Sequence, residues 1–182
     1  MGVEPGSANI VATTASAAAS FDKDEFDIAI IDEATQANIP SSLIPYVCSE
    51  KVVLAGDHKQ LPPYKSTEAE ERPIRVSLFE HFLAVYDSGV RTMLRRQYRM
   101  NEEIAEFPSV AFYDGELQTG EMNRTWTVPD ESPLMSINVN GEEEDAGLSK
   151  KNPREAKVVV KRVKDLREKG VPMGCIGIIT TY

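Results

Sequence analysis

The chain has 182 residues, of which 41% are hydrophobic and 27% are charged, and its formal net charge is −9. These proportions are typical of a globular protein, and the negative charge excludes an overall positive field that would attract nucleic acid, so any such contact must be local. No apolar run reaches the length of a membrane span and the amino end is small and polar, so we expect no membrane partner and an intracellular protein, cytoplasmic or, in a eukaryote, nuclear.

The first half of the chain alternates predicted strands with predicted helices. The strands are predicted at residues 9–13, 26–31 and 52–54. The strand at 52–54 is a continuous apolar run, which is typical of a strand buried on both faces of a parallel sheet, and the strand at 26–31 is also expected to be buried. Helices are predicted over residues 38–48, with an interruption at Pro45, and over residues 77–86. The polar stretch at residues 65–72 (KSTEAEER) predicts a surface loop.

The second half of the chain continues the alternation. Strands are predicted at residues 90–94, 134–139 and 175–180, and helices at residues 101–111 and 153–169. The second of these helices has the clearest signals, because Asn152 can cap it, Pro153 suits its first position and Gly170 can end it. The acidic residues 141–145 (GEEED) predict an exposed loop. Strands that alternate with helices predict an α/β fold with parallel sheets.

The two cysteines, Cys48 and Cys175, are far apart in the sequence and lie among apolar neighbours. Neither has another Cys or a His at the spacing of metal ligands. We therefore expect two buried free thiols rather than a disulfide or a zinc site.

Two adjacent carboxylates follow the predicted strand at residues 26–31, in the sequence IIDEATQ. Buried charges need a partner, and in nucleoside triphosphatases an Asp in this position binds Mg²⁺ while the following Glu activates the attacking water. Asp32 and Glu33 therefore predict such a pair. Taken alone, the same pattern is also that of a strand ending in a solvated acidic turn.

A second polar cluster, in GDHKQLPP at residues 56–63, follows the predicted strand at 52–54. Open α/β sheets bind their ligands in loops at the carboxyl ends of parallel strands, so this cluster lies where chemistry is expected. His58 could join Asp32 and Glu33 in a metal-dependent hydrolase, although a solvated His58 is the simpler interpretation.

A third cluster, LRRQYRM at residues 94–100, combines Arg side chains with a Tyr. The planar guanidinium is a donor fork that suits phosphate, and the Tyr ring offers a face on which a base can stack. Alone, the cluster is equally a basic turn before a helix.

In this order, DEATQ, GDHKQLPP and QYRM resemble motifs II, III and IV of superfamily 1 helicases, in the nonsense-decay and senataxin-like branch that translocates 5′ to 3′. The resemblance extends from about residue 10 to residue 180 and includes the closing GIITTY, similar to the family's GIITPY. It implies parts of two RecA-like parallel-sheet domains of the P-loop NTPase type. Residues 1–89 would be the carboxyl half of the first domain and residues 90–182 the amino half of the second.

The resemblance also implies roles for the residues of the first two motifs. Asp32 would bind Mg²⁺ and Glu33 would act as the general base. Gln60 would contact the γ-phosphate of ATP and couple its state to the nucleic-acid groove.

The remaining implied roles concern the base, the phosphate and the nucleic acid. Tyr98 would stack on adenine, and Arg99 would reach the γ-phosphate as an arginine finger. The loop residues Leu61, Pro62 and Pro63 would lie near a single strand of DNA or RNA.

The resemblance thus predicts part of an ATP-dependent DNA or RNA helicase that couples Mg-ATP hydrolysis to translocation on single-stranded nucleic acid. The sequence contains no glycine-rich loop ending in Gly-Lys-Ser/Thr, which holds the β- and γ-phosphates in such enzymes. We therefore expect the isolated chain to be inactive and the missing helicase segments to be its partners. The alternative is a non-catalytic module that binds nucleotide weakly or docks on another protein.

Overall fold

The computed structural model describes residues 8–63 and 76–180, and the chain divides into two compact units. Unit 1 is Met1–Met93 and unit 2 is Leu94–Tyr182. Both units combine helices with a small parallel sheet, which confirms the predicted α/β class. The surface loop predicted at residues 65–72 lies outside the described residues.

Unit 1 is built on one pair of parallel strands. Its elements are the 3₁₀ turn Ala17–Ser20, strand β1 (Phe26–Ile31), helix α1 (Ile39–Val47), strand β2 (Ser49–Leu54), helix α2 (Leu78–Val85) and the 3₁₀ turn Ser88–Val90. The register of β1 and β2 runs from Phe26 opposite Ser49 to Ile31 opposite Leu54. The two strands and both helices predicted between residues 26 and 86 are confirmed. The predicted interruption at Pro45 is wrong, because Pro45 lies inside the continuous helix α1.

The helices of unit 1 begin at residues whose side chains satisfy free backbone N–H groups. Asn38 caps α1, since its Oδ1 accepts a hydrogen bond from Ser41 N at 3.0 Å. Ser77 caps α2 in a capping box, where Ser77 Oγ accepts from Glu80 N and Glu80 Oε2 accepts from Ser77 N, both at 3.1 Å. An isolated bridge joins Asn38 to Ser77, so the starts of the two helices are held together.

The expected burial of β1, and of β2 on both faces, is wrong. Helix α1 packs against the sheet and Ile31 is buried, but Ile28, Ile30 and Val53 are 52%, 72% and 50% exposed. Alternate residues of a strand point to opposite faces, and Val53 lies opposite Ile30 in the register. In the described part of unit 1, the sheet is therefore covered on one face.

The strand predicted at residues 9–13 is also wrong. These residues are irregular, and Ile10 is 89% exposed. A strand persists only where a neighbour pairs with its backbone, and no described residue forms a ladder with this segment.

Unit 2 contains a short parallel pair, a hairpin and two longer helices. Its elements are β3 (Arg96–Gln97), α3 (Glu102–Phe112), β4 (Gln118–Thr119), β5 (Glu144–Ala146), β6 (Ser149–Lys151), α4 (Pro153–Glu168) and the 3₁₀ turn Met173–Cys175. Strands β3 and β4 are parallel, and β5 and β6 are antiparallel. Both predicted helices are confirmed, and the Asn152 side chain caps α4 by accepting from Arg154 N and Glu155 N.

Three strands predicted in the second half of the chain are wrong. Residues 91–95, 134–139 and 176–180 are irregular, while Val90 and Cys175 belong to 3₁₀ turns. These apolar runs lack a paired neighbour among the described residues, and Ile179 is 97% exposed. An apolar run indicates burial, but pairing depends on a partner elsewhere in the chain.

The acidic stretch predicted as a loop instead enters the hairpin. Glu144 pairs with Lys151 at 3.1 Å across β5 and β6, and these strands are exposed. Opposite charges facing each other across a ladder favour strand pairing, which the loop interpretation did not consider.

The two thiols differ. Cys48 is buried, as predicted, and its Sγ lies 3.3 Å from Ala18 O. Cys175 is exposed, so its predicted burial is wrong, because the segment that holds it does not form a strand.

Glu131 ties α4 to the segment that precedes the hairpin. Its carboxylate is 8% exposed and accepts hydrogen bonds from the Arg162 guanidinium and from Lys169 Nζ. These bonds, with Arg162 contributing most, lower the pKa of Glu131 from 4.5 to about 2, and the same contact raises the pKa of Arg162. The cluster is therefore an ion triad that stabilises the folded position of α4.

We expect the triad to make stability depend on pH in the acid range. Because the folded pKa of Glu131 lies below its unfolded value, its stabilisation is present above pH 4.5 and is lost as the pH falls towards about 2. Thermal unfolding followed by circular dichroism should show Glu131→Gln melting below the parent chain at neutral pH. The gap should narrow steadily below pH 4.5.

A matched control is Glu106→Gln, which removes an exposed carboxylate on α3 that takes part in none of the ion pairs between described residues. It should leave the melting temperature unchanged. Parallel pH profiles for the parent chain and Glu131→Gln would contradict the role of the triad.

Candidate functional site

The turn that follows β1 displays two carboxylates. Asp32 and Glu33 are exposed, and Glu33 has a φ of +50°, in the left-handed region that a residue with a Cβ rarely adopts. Asp32 Oδ1 accepts from Glu33 N at 3.0 Å, and Glu33 O accepts from Gln36 N at 2.9 Å. These bonds hold a backbone conformation that is strained on its own.

The carboxylate of Glu33 is also held by a side chain. Gln36 Nε2 donates to Glu33 Oε2 at 3.1 Å, so one of the two carboxylate oxygens of Glu33 is engaged by this side chain. Gln36 is not among the predicted site residues. Its position three residues after Glu33 in a turn is the signal that could have identified it.

The parallel pairing of β1 and β2 continues past both strands into this turn. Ala55 N donates to Ile31 O at 2.9 Å, and Ala34 N donates to Ala55 O at 2.8 Å. Ala34 and Thr35 are buried beneath the exposed carboxylates. The acidic turn is therefore hydrogen-bonded to the carboxyl end of β2.

Gly56 permits the close approach of the two tips. A Cβ at this position would lie 3.1 Å from both the backbone N and Cγ2 of Thr35 and 3.3 Å from Ala34 N. Contacts this short are tighter than those that real Cβ atoms usually make. The requirement for glycine here is one of space next to the acidic turn.

The second tip, Asp57 to Gln60, is organised by one carboxylate. Asp57 Oδ1 accepts from Lys59 N at 3.0 Å, and Asp57 Oδ2 accepts from Gln60 Nε2 at 2.7 Å. Gln60 is exposed and, because β1 and β2 are parallel neighbours, it lies at the same edge of the sheet as Asp32 and Glu33. Three predicted site residues are thus brought to one edge of unit 1.

The residues after Gln60 differ in exposure. Leu61 is 79% exposed and Pro62 is exposed, whereas Pro63 is buried. The His58 ring stacks on Phe79 of α2, with ring centroids 6.4 Å apart. Across residues 8–63 and 76–180, no three His, Cys, Asp or Glu side chains are grouped so that they could hold a metal ion. The metal-dependent hydrolase that would use His58 therefore has no ligand cluster in the described chain.

In unit 2, Gln97 shapes the turn that carries the two remaining predicted residues. Gln97 Oε1 accepts from Arg99 N and Met100 N at 2.8 and 2.9 Å, while Nε2 donates to Met100 O and to Thr119 Oγ1 at 2.9 and 2.8 Å. The side-chain amide thereby satisfies the backbone of the turn and anchors it to β4.

Tyr98 and Arg99 extend from this turn. Tyr98 is 55% exposed and Arg99 is exposed. None of the ion pairs between described residues includes Arg99. An aromatic ring and a guanidinium from consecutive residues are thus both exposed in this turn.

Unit 2 also contains a cleft of about 740 Å³ between α3 and the strands β3 and β4. Its charged lining consists of Glu102, Glu103, Glu106, Glu121, Arg96 and Arg124. Glu102 and Arg124 form an ion pair at 3.2 Å. The excess of carboxylates makes this cleft unfavourable for a phosphate, and neither Tyr98 nor Arg99 lines it.

We expect Gly56→Ala to destabilise the chain by about 1–3 kcal/mol, because the added methyl must displace Thr35 in a packed turn. Urea unfolding of the 182-residue chain measures the change. Gly174→Ala is the matched control, since a Cβ there meets nothing within 4 Å. Equal stability of the two variants would show that the acidic turn does not depend on the close approach of the two tips.

Two family models, each described as an AAA domain, match residues 6–67 and residues 74–182. Both represent the RecA-like fold of P-loop NTPases, as predicted.

Within the described residues, no helix is long and apolar enough to cross a membrane.

Several curated proteins are similar to the chain over most of its length. An uncharacterized ATP-dependent helicase of Methanocaldococcus jannaschii is 38% identical over 95% of this chain and 28% of its own length. The ATP-dependent helicase NAM7 of Saccharomyces cerevisiae is 38% identical over 87% of this chain and 17% of its own. The DNA-binding protein SMUBP-2 of Rattus norvegicus is 35% identical over 88% of this chain and 18% of its own.

The chain therefore spans less than a third of the length of each of these relatives. Relatives in Neurospora crassa and Arabidopsis thaliana are named regulator of nonsense transcripts 1 homologs and are each 37% identical to it. The chain belongs to the AAA-domain family and, within it, to the nonsense-decay and senataxin-like branch of superfamily 1 helicases.

Proposed function

We propose that this chain supplies the hydrolytic carboxylates and part of the nucleotide-binding groups of an ATP-dependent helicase that moves along single-stranded DNA or RNA. The observation that carries the proposal is the conformation of Glu33, whose exposed carboxylate is held beside Asp32 by a strained, hydrogen-bonded turn at the end of β1. Strain retained at an exposed carboxylate is characteristic of functional sites. Because the chain belongs to a branch of helicases, we assign ATP hydrolysis as the reaction in which this carboxylate takes part.

Asp32 is suited to hold Mg²⁺. Its Oδ1 accepts from Glu33 N, which leaves Oδ2 for a cation. Mg²⁺ in phosphate-transfer enzymes is bound by one or two carboxylates together with water and substrate phosphates, so a larger protein cluster is not required. When bound there, Mg²⁺ would neutralise charge on the transferred phosphate.

Glu33 would act as the general base. Its Oε2 is occupied by Gln36 Nε2, so Oε1 would accept the proton of the water that attacks the γ-phosphate. The hydrogen bond from Gln36 limits rotation of the carboxylate, which keeps the free oxygen in one direction.

Gln60 would sense the γ-phosphate. In the structure, Gln60 Nε2 donates to Asp57 Oδ2, so a bond to phosphate would replace one charge-assisted hydrogen bond by another. That exchange of hydrogen bonds would change the conformation of the loop that continues into Leu61, Pro62 and Pro63. The exposed Leu61 and the stiff prolines would then carry the change to the nucleic-acid strand.

Unit 2 would supply groups for the base and the phosphate. The exposed Tyr98 ring would stack on adenine, and the exposed Arg99 guanidinium would contact the γ-phosphate as an arginine finger. The sequence has no Gly-Lys-Ser/Thr loop, so hydrolysis would require further helicase segments. The names of the relatives give no support to the alternative of a non-catalytic module.

The role of Glu33 is tested in a chimera that carries this chain in place of the matching segment of the Methanocaldococcus jannaschii relative. We expect Glu33→Gln to lower kcat for ATP hydrolysis by about 10²- to 10⁴-fold, because the proton acceptor is lost, while ATP binding is retained. Glu50→Gln is the matched control, since Glu50 is an exposed carboxylate near the opposite end of β2. Normal turnover by Glu33→Gln would exclude the general-base role.

The role of Tyr98 is tested in the same chimera by ATP binding. Tyr98→Ala should weaken binding by about 1–3 kcal/mol, as for stacking of a base on an aromatic side chain. Tyr98→Phe keeps the ring and should bind ATP like the parent. Unchanged affinity in Tyr98→Ala would show that the ring does not contact the nucleotide.

A further inference from the structure

The turn that follows β4 encloses the backbone of the Tyr98 turn from both ends. At one end, Gly120 N donates to Gln97 O at 2.9 Å. At the other end, Asn123 Nδ2 donates to Met100 O. The segment from Gly120 to Asn123 is closed on itself by a bond from Asn123 N to Gly120 O at 3.3 Å.

Gly120 lies against one side of the Tyr98 ring. A Cβ at Gly120 would lie 2.3 Å from Cε1 and 2.4 Å from Cδ1 of Tyr98, distances that real Cβ atoms essentially never show. Gly120 does not have a positive φ, so its backbone could accommodate another residue. The reason for glycine at this position is therefore space for the ring, not a turn conformation.

The buried position of Asn123 is energetically unfavourable for one of its side-chain atoms. The residue is fully buried, and its Oδ1 has no hydrogen-bond partner among the described residues. A buried acceptor without a hydrogen-bond partner destabilises the folded state. The side chain of Asn123 keeps one hydrogen bond, from its Nδ2 to Met100 O. Met100 is at the end of the turn that carries Tyr98 and Arg99.

We infer that Gly120 is a positioning residue that sets the direction of the Tyr98 ring, in a turn whose end is held by the bond from Asn123 to Met100. Gly120 takes the Cδ1–Cε1 edge of the ring against its Cα, and more than half of the Tyr98 surface stays open. We expect a purine base to meet a ring that is already oriented, and this consequence rests on the proposed function of Tyr98. The orientation of the ring does not depend on that function.

The experiment uses the 182-residue chain with ¹³C-labelled tyrosine rings. Tyr98→Phe assigns the Tyr98 resonances in ¹H–¹³C spectra. In the parent chain, we expect nuclear Overhauser contacts between the Tyr98 ring protons and the Hα protons of Gly120. Gly120→Ala should displace the Tyr98 resonances, while Gly177→Ala, where a Cβ meets nothing within 4 Å, should leave them in place.

The contact measured in the parent chain keeps the test decisive if Gly120→Ala does not fold. Absence of the Overhauser contact, or unchanged Tyr98 resonances in a folded Gly120→Ala, would overturn the inference. Titration with Mg-ATP separates it from the proposed function. A Tyr98 shift on ATP addition that is lost in Gly120→Ala would support both. Displacement by Gly120→Ala without any ATP response in the isolated chain would support the positioning role alone, and loss of binding in the Tyr98→Ala chimera remains the test of the stacking role.

Discussion

The hydrogen bond from Ala34 N to Ala55 O is the contact on which the acidic site of unit 1 depends. It extends the parallel pairing of β1 and β2 beyond the strands and fixes the turn between Asp32 and Gln36 above the tip of β2. Without it, the left-handed conformation of Glu33 would rest on local bonds alone. Because Gly56 has no side chain, the two tips approach closely enough for that bond to form. A carboxylate pair and a sensing amide are thereby brought to one edge of a two-stranded sheet.

Unit 2 solves a similar problem by different means. Its parallel strands, β3 and β4, are only two residues long, so ladder bonds alone cannot hold the turn that follows β3. Gln97 compensates with four side-chain hydrogen bonds, and Gly120 and Asn123 add contacts from the far side. In unit 1 a backbone hydrogen bond holds the turn, and in unit 2 the half-buried side-chain amide of Gln97 does so. The residues with candidate chemistry are consequently free to face outward.

The polar tips of both units could be predicted because their signals are local. Carboxylates directly after an apolar run mark the end of a strand whatever that strand packs against, and the order of the three motifs identified the family. The supporting residues were harder to find. Gln36 and Asn123 are ordinary polar residues in the sequence, and their importance becomes visible only with the atoms that they contact. Glu131 likewise gains its role from Arg162 and Lys169, which lie 31 and 38 residues further along the chain.

The sequence by itself determined the helices and the chemistry of the tips. Ser77, Asn101 and Asn152 each cap a helix through backbone N–H groups within three residues, so these helix starts are decided locally. Only the tertiary structure decided which apolar runs became strands. Residues 26–31 pair with a parallel strand, whereas residues 134–139 and 176–180, which are also largely apolar, have no paired strand in residues 8–63 and 76–180. Strand formation requires hydrogen bonds from residues distant in sequence, and no local pattern specifies where that partner lies.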